Sequence, residues 1–383
     1  MIEFSKIDCC GCEACVQICP VDCISFSQDE KGFFYPSVDS GRCVGCHKCD
    51  RVCSYYHSFN SNHLNQYAAF SDDLSLRMKS SSGGIFSLLS SSVLQKGGVV
   101  FGASFDDSFN VVHTAIESHD ELYKLQGSKY VQSRIGSSFV LARKYLEDSY
   151  PVLFSGTPCQ ISALKLYLGT DYPNLVTVEV FCHGVPSPKI WNDYLKSLIG
   201  KQKCVSVFFR DKTKYGWRNY SYRIEVENNR ILYLPYGENV YSDGFLSDLT
   251  IRPSCFDCPS KIYNSRADIS IGDYWGVESI HKEIDDNLGC SAVIIHNHKG
   301  QVLFDSISCT KIETRLEDII KGNPLIAKSA NKPDYYDSFW KEYSKKGINA
   351  IPICLGKNVS LYRKVIKKTY SALRYLKRCL FSQ

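Results

Sequence analysis

The sequence predicts a mixed α+β or α/β protein in which a small cysteine-rich module precedes a larger domain. Ten of the 19 cysteines lie within the first 53 of 383 residues. From Tyr67 onwards, short apolar segments alternate with helical patterns, and residues 204–234 contain alternating segments separated by polar turns. We therefore expect an N-terminal module, a mixed α/β domain with an antiparallel β subdomain, and a C-terminal helical tail.

The cysteines of the first predicted domain, residues 1–57, follow metal-ligand spacing. Cys9 to Cys19 read C-x2-C-x2-C-x3-C before Pro20, and Cys43 to Cys53 repeat this run without the proline. This is the spacing of bacterial-type ferredoxins, in which the fourth cysteine of each run ligates the other cluster. It predicts two [4Fe-4S] clusters, one on Cys9, Cys12, Cys15 and Cys53 and one on Cys43, Cys46, Cys49 and Cys19.

Zinc is the alternative metal for these cysteines, since tetrahedral zinc sites also use C-x2-C pairs. Two complete four-cysteine runs favour iron–sulfur clusters. Cys10 and Cys23 lie outside the spacing and are expected to be buried thiols.

The larger domain is predicted in two parts after a polar linker at residues 58–66. In the first part, residues 67–170, the apolar runs indicate strands at 67–70, 99–105 and 151–156 and helices at 85–97 and 139–146. In the second, residues 171–340, strands are expected at 176–182, 265–275 and 291–297, a helix at 190–199, and antiparallel strands at 204–210, 220–228 and 230–236.

The composition and charge of the chain limit the classes of function that we expect for the protein. The formal charge of +5 comes from the tail, because ten Lys or Arg and no acidic residue follow Glu342. A nucleic-acid-binding surface is therefore not expected. There is no apolar run of about 18 residues and no apolar signal core at residues 1–8, so a cytoplasmic protein in a reducing compartment is expected.

The larger domain resembles the beta-subunit family of coenzyme F420-reducing hydrogenases and dehydrogenases, which are FAD and iron–sulfur oxidoreductases. The resemblance rests on six segments: SSSGGIFSLL at 80–89, GSKYVQS at 127–133, FSGTPCQISAL at 154–164, FCHGVPSP at 181–188, CFDC at 255–258 and DISIGDYWG at 268–276. It implies that this domain binds FAD and passes electrons to a two-electron carrier such as coenzyme F420.

The resemblance also implies a flavin site. Its candidate residues are Ser81, Ser82, Gly83, Gly84, Gly127, Ser128, Lys129, Tyr130, Gln132, Gly156, Thr157 and Pro158. Small residues before a helix can receive a pyrophosphate at the positive helix end. Lys129 could pair with a phosphate or with reduced flavin, and Tyr130 could stack on the ring. An ordinary Ser cap with a Gly turn, a surface lysine and a core tyrosine are the alternatives.

A third [4Fe-4S] cluster is implied by the same resemblance, on Cys159, Cys182, Cys255 and Cys258. From their spacing alone, these cysteines could equally be buried apolar residues. We expect no metal-binding role for Cys204, Cys290, Cys309, Cys354 and Cys379. His183 is a candidate proton donor, with a structural histidine as the alternative.

These features predict an oxidoreductase that passes electrons between [4Fe-4S] clusters and FAD, with a ferredoxin or a hydrogenase or dehydrogenase subunit as redox partner. Its substrate is coenzyme F420, a nicotinamide or another organic molecule. The alternative is a non-catalytic subunit that relays electrons to a partner enzyme.

The basic tail, residues 341–383, has its own prediction. Residues 360–381 follow an amphipathic helical pattern with Lys and Arg opposite the apolar positions. This helix could lie on anionic lipid, dock on an acidic partner, or pack on its own domain with a solvated basic face. Peripheral membrane association is therefore one expectation for the tail.

Overall fold

The computed structural model describes residues 5–357. The N-terminal module contains two short helices and one antiparallel hairpin. Helices α1 (Ala14–Gln17) and α2 (Lys48–Arg51) each follow the second cysteine of a four-cysteine run. Strands β1 (Ile24–Gln28) and β2 (Phe34–Val38) pair with Ile24 opposite Val38.

The larger domain is built on an eight-stranded mixed sheet. Its order is β13-β3-β12-β11-β7-β6-β4-β5. The four central strands β11, β7, β6 and β4 are parallel, and the outer strands pair antiparallel. Their bounds are β3 (Asn65–Phe70), β4 (Val99–Phe105), β5 (Val111–Ile116), β6 (Val152–Gly156), β7 (Leu175–Val180), β11 (Ile269–Asp273), β12 (Ser291–Ile295) and β13 (Thr310–Glu313).

Helices cover both faces of this sheet, because strand side chains alternate between the faces. Phe101 of β4 packs with α5 (Ser138–Glu147) and α6 (Pro158–Leu168) on one face. Its neighbour Val100 packs with α4 (Ile85–Leu94) and α10 (His298–Asp305) on the other. The remaining helices of this domain are α3 (Leu74–Lys79), α9 (Val277–Ile280) and α11 (Leu316–Gly322).

A second, antiparallel sheet of three strands carries the aromatic-rich core. It comprises β8 (Cys204–Asp211), β9 (Ser221–Val226) and β10 (Arg230–Pro235) in the order β10-β9-β8. Its core includes Trp191, Phe209 and Tyr241. Four helices contribute to that core: α7 (Pro188–Ile199), α8 (Val240–Leu246), α12 (Tyr336–Lys346) and α13 (Ala350–Cys354).

The predicted fold class is confirmed, as are the strands and helices that were predicted between residues 67 and 297. The strand expected at 176–182 ends at Val180, which leaves Cys182 in the following loop. Strands β1, β2, β5 and β13 were not predicted, and neither were helices α3, α6 and α8 to α13. Cys379 and the amphipathic pattern at 360–381 lie outside the described residues. Within residues 5–357, none of the helices combines the length and apolar character that crossing a bilayer requires.

Candidate metal centres and cofactor site

The two cysteine loops of the module have the same backbone shape. In the first loop, Gly11 and Glu13 have φ values of 71° and 62°. At the corresponding positions of the second loop, Gly45 and His47 have φ values of 65° and 56°. Left-handed residues in such loops turn successive backbone N–H groups to one side, which forms the anion-binding concavity typical of many iron–sulfur sites. The sequence repeat is thus also a structural repeat.

Each loop borders a cavity that also receives a cysteine from the other run. Cavity A, about 500 Å³, is lined by Cys9, Cys12, Cys15 and Cys53. Cavity B, about 390 Å³, is lined by Cys43, Cys46, Cys49 and Cys19, with Cys23 alongside. The structure therefore brings together the two predicted sets of four. Among the described residues, no three or more His, Cys, Asp or Glu side chains are arranged to hold a single metal ion.

Two parallel strands create half of a third cavity, cavity C. Strands β6 and β7 are neighbours, so their carboxyl ends lie at the same edge of the sheet. Cys159 lies in the first turn of α6, directly beyond β6, and Cys182 lies just beyond β7. The start of α6 is fixed by a capping box between Thr157 and Gln160. Ligands at the carboxyl edge of such a sheet are a general feature of α/β folds.

The other half of cavity C comes from the loop after α8. A short 3-10 turn at Pro253–Asp257 carries Cys255, and Cys258 follows it. Cavity C is about 540 Å³ and is lined by all four predicted cysteines. Burial raises the pKa of Cys255 to about 12 and that of Cys182 to about 11. Because thiolates are the ligating form, metal binding here must displace the thiol protons.

Cavities A and C adjoin each other. Asp8, Cys10 and Tyr55 line both of them. The Cys10 thiol is the largest of the influences that raise the pKa of Cys159, and Cys10 Sγ lies 3.7 Å from Ser54 Oγ. On the opposite side, Cys15 of cavity A and Cys49 of cavity B belong to one apolar cluster. The cavities thus follow one another in the order B, A, C.

Part of the predicted flavin set converges at the N-terminus of α4. Gly84 caps this helix with a φ of 90°. The backbone N–H of Ser128 donates to Ser81 Oγ at 2.7 Å, which joins the two predicted segments 81–84 and 127–130. A helix N-terminus of this length presents free N–H groups to an anion.

The half-buried Lys129 and the buried Lys212 flank this junction. Lys129 Nζ donates to the carbonyls of Gln126 and Gly127 at 2.9 and 3.2 Å. Lys212 Nζ, on the antiparallel sheet side, donates to Ser82 O at 2.7 Å. Burial lowers the pKa of each lysine to about 7. Neither makes an ion pair with a carboxylate in the described part of the chain, so both cations are available to an anionic ligand.

Arg210 adds a third cation beside them. It pairs with Asp273 at 2.8 Å and donates to the Tyr130 hydroxyl at 3.3 Å. Its Nε and Nη2 atoms are buried and have no hydrogen-bond partner within residues 5–357. Buried donors are normally satisfied, so these orphaned atoms fit a ligand with acceptor oxygens, such as a flavin phosphate.

The remaining predicted residues lie towards cavities A and C. Gln132 Nε2 donates to Cys10 O at 3.0 Å. Pro158 lines cavity C, and Thr157 Oγ1 lies 3.2 Å from Cys159 Sγ. His183 also lines cavity C and bonds to Asp248 through Nε2 at 2.5 Å. The structure thus divides the predicted flavin set between two places.

Sequence reasoning missed Arg210 and Lys212. Both lie at the end of β8 or just beyond it, where FFRDK gives no ligand spacing. Only the packing of the antiparallel sheet against Ser82 brings them to the site.

Two family models match the chain. Residues 8–56 match the 4Fe-4S dicluster domain, and residues 151–319 match the C-terminal part of the beta subunit of coenzyme F420 hydrogenase/dehydrogenase. The eight predicted ligands at cavities A and B lie in the first region, and the four predicted ligands at cavity C lie in the second. The flavin candidates at 81–84 and 127–130 precede the second match.

Comparison with individual proteins adds a likeness to solved structures. No curated protein matches the chain. Among solved structures, it is similar to a chain of a xenon-derivatised F420-reducing [NiFe] hydrogenase complex from Methanosarcina barkeri. The two are 16% identical, with a TM-score of 0.45, and the match covers 82% of this chain and 93% of that chain.

Proposed function

We propose that this protein is an iron–sulfur flavoprotein oxidoreductase. Its chain joins a region that matches the 4Fe-4S dicluster domain to a region that matches the beta subunit of coenzyme F420 hydrogenase/dehydrogenase. Its residues hold three [4Fe-4S] clusters in cavities B, A and C and FAD at the N-terminus of α4. The observation that carries this proposal is the serial arrangement of three cavities, each lined by one predicted set of four cysteines.

The clusters supply one-electron chemistry, and FAD supplies both one- and two-electron chemistry. The chain's own residues hold and separate these groups. Cys10 and Tyr55 form part of the thin wall between cavities A and C. Lys129, Lys212 and Arg210 neutralise the flavin phosphates or its reduced ring. His183, held by its hydrogen bond to Asp248, lines cavity C beside the proposed ligand Cys182.

The two-electron carrier is proposed from the family description alone. Coenzyme F420 is our first candidate, and another organic substrate is the second. A redox partner protein delivers or receives electrons at the module. A relay subunit without bound flavin is the competing function, and flavin content separates the two.

Anaerobic purification followed by iron, acid-labile sulfide and flavin analysis tests the proposal. We expect about twelve iron atoms per chain, four for each cluster, and about one FAD. A content of about eight iron atoms per chain would contradict the proposed cluster in cavity C. Iron without bound flavin would contradict the flavoprotein proposal and support the relay function.

A cysteine variant assigns the third cluster. Cys258→Ser removes one ligand of cavity C, so the iron content should fall to about eight per chain. Cys290→Ser is the matched control, because Cys290 is a buried core thiol away from the cavities. An equal loss of iron in both variants would contradict the assignment.

A further inference from the structure

Arg252 places a fully buried positive charge beside cavity A. Its side chain is wholly inaccessible to solvent. Nε donates to Cys9 O at 2.6 Å, and Nη2 donates to Phe34 O at 2.9 Å and towards Cys9 Sγ at 3.7 Å. Nη1 donates to Gln132 Oε1 at 2.9 Å. The guanidinium is therefore held by the cysteine loop of the module and by the larger domain together.

This cation has no carboxylate partner among the described residues. A buried, unpaired charge is unfavourable by several kcal/mol, so buried charges are normally paired. The groups whose negative forms act on Arg252 are instead the thiols of Cys9, Cys10 and Cys255 and the hydroxyl of Tyr35. Two of the three thiols are predicted cluster ligands, one at cavity A and one at cavity C. The missing counter-charge is thus supplied where a thiolate-bound cluster would lie.

The sequence around Arg252 has a regular spacing that the cysteine pattern alone does not explain. In RPSCFDCPSK, Arg252, Cys255, Cys258 and Lys261 recur every third residue. Lys261 Nζ donates to Leu325 O at 2.8 Å and towards Cys182 O at 3.4 Å. One segment therefore carries two ligands of cavity C and a cation on either side of them.

The first cysteine loop is shaped to receive the guanidinium. A Cβ atom at Gly11 would lie 2.8 Å from Arg252 Nη1 and 2.6 Å from Gln132 Nε2. The equivalent Gly45 has open space at that point in the described part of the chain. The guanidinium of Arg252 therefore packs directly against the cysteine loop at cavity A, which is the cavity that adjoins cavity C.

We propose that Arg252 is a positioning residue that acts as the fixed counter-ion of the cluster in cavity A and raises its reduction potential. The inference rests on the proposed function, since it requires clusters in cavities A and C. Reduction adds one negative charge to a cluster, and a buried cation nearby stabilises the more negative state. Arg252 thereby favours an electron on the cluster that adjoins cavity C.

A redox titration followed by EPR tests this role in the full-length, cluster-loaded protein. Arg252→Gln should lower one midpoint potential by about 59 mV or more, which is tenfold for a one-electron couple. Arg252→Lys keeps the charge and should recover at least half of that shift. An unchanged potential in Arg252→Gln, with full iron content, would overturn the inference while leaving the clusters established.

A neutral double variant separates charge from mechanical support. Glu13 and Arg134 also join the module to the larger domain, with Oε1 and Nε 2.6 Å apart. Glu13→Gln combined with Arg134→Gln removes this bridge without changing the net charge, so the potentials should move by less than half of the Arg252→Gln shift. Equal shifts in both proteins would overturn the electrostatic role.

If Arg252→Gln does not fold, a spectroscopic measurement on the wild-type protein can test the proposal instead. With ¹⁵N-labelled arginine, pulsed EPR of the reduced protein should show a ¹⁵N coupling that disappears in Arg252→Lys. Absence of the coupling in wild-type protein of full iron content would contradict the proposal. Absence of iron would instead contradict the proposed function.

Discussion

At the scale of single residues, one glycine governs how the first cysteine loop meets the larger domain. Gly11→Ala must hold an alanine in a left-handed conformation, at about 1–2 kcal/mol, and must also displace Arg252 or Gln132. Displacing buried side chains adds about 1–3 kcal/mol. Chemical denaturation should therefore show a larger loss of stability than conformation alone explains.

The matched control for this change is Gly45→Ala. Gly45 has the same left-handed conformation, but a Cβ added there would have no atom of the described residues within 4 Å, apart from its chain neighbours. Only the conformational cost should appear in this variant. Equal losses in the two variants would show that the contact with Arg252 does not constrain the loop.

Lys212 should give the flavin-free protein a characteristic pH dependence. Burial lowers its pKa to about 7 in the folded state, against about 10.4 in the unfolded chain. Between these values the unfolded state binds more protons, so stability should rise with pH by up to about 1.4 kcal/mol per unit. The charged groups that act on it are Arg77, Asp273, Arg210 and Asp286.

Unfolding of wild-type protein and Lys212→Gln at pH 7, 8 and 9 measures this contribution. The free energy of unfolding of the wild type should increase relative to that of Lys212→Gln as the pH rises, because the variant lacks the titrating amine. Bound FAD should flatten the difference, since an anion raises the pKa of the lysine. Parallel pH profiles in flavin-free protein would contradict the assignment.

At the scale of residues, the sequence predicted which cysteines line one cavity where those cysteines are local in the chain. The spacing of Cys9, Cys12 and Cys15 was sufficient because a tight loop fixes their relation. Arg210, Lys212 and Arg252 could not be found this way, since their partners are distant in sequence. Each of them can be recognised only in the structure, as a buried cation whose charge or N–H groups are not fully paired by the described residues.

At the scale of elements, the parallel pair β6 and β7 determines the third cavity. Both strands were predicted from their apolar runs, but the sequence does not state that they are neighbours. That adjacency places Cys159 beside Cys182. Strand β13 was missed because three of its four residues, TKIE, are polar and the segment is too short to show a period.

The start of helix α6 provides a test at this scale. Thr157 caps the helix, and its hydroxyl lies 3.2 Å from Cys159 Sγ. Thr157→Ala should destabilise the protein by about 1 kcal/mol and lower the iron content of cavity C. Thr157→Ser retains the hydroxyl and should behave as wild type. Full iron content in Thr157→Ala would show that the cap does not orient Cys159.

At the scale of the whole molecule, the module and the larger domain share their cores. Phe33 and Tyr35 of the module lie in the aromatic core with Trp191 and Trp340. Ala14 packs in another core with the helices beside cavity C. The polar linker at 58–66 suggested separate units, because composition reports chain boundaries but not how surfaces pack. This shared packing places cavity A against cavity C.

The serial order of the cavities is the central claim, and rapid-mixing kinetics tests it most directly. A reduced ferredoxin should reduce the FAD of wild-type protein. In a Cys159→Ser variant that retains about eight iron atoms and bound FAD, this reduction should slow at least about 100-fold. Borohydride, which can reduce the flavin directly, should act equally on both proteins. Flavin reduction by ferredoxin at the wild-type rate in the variant would contradict the serial path.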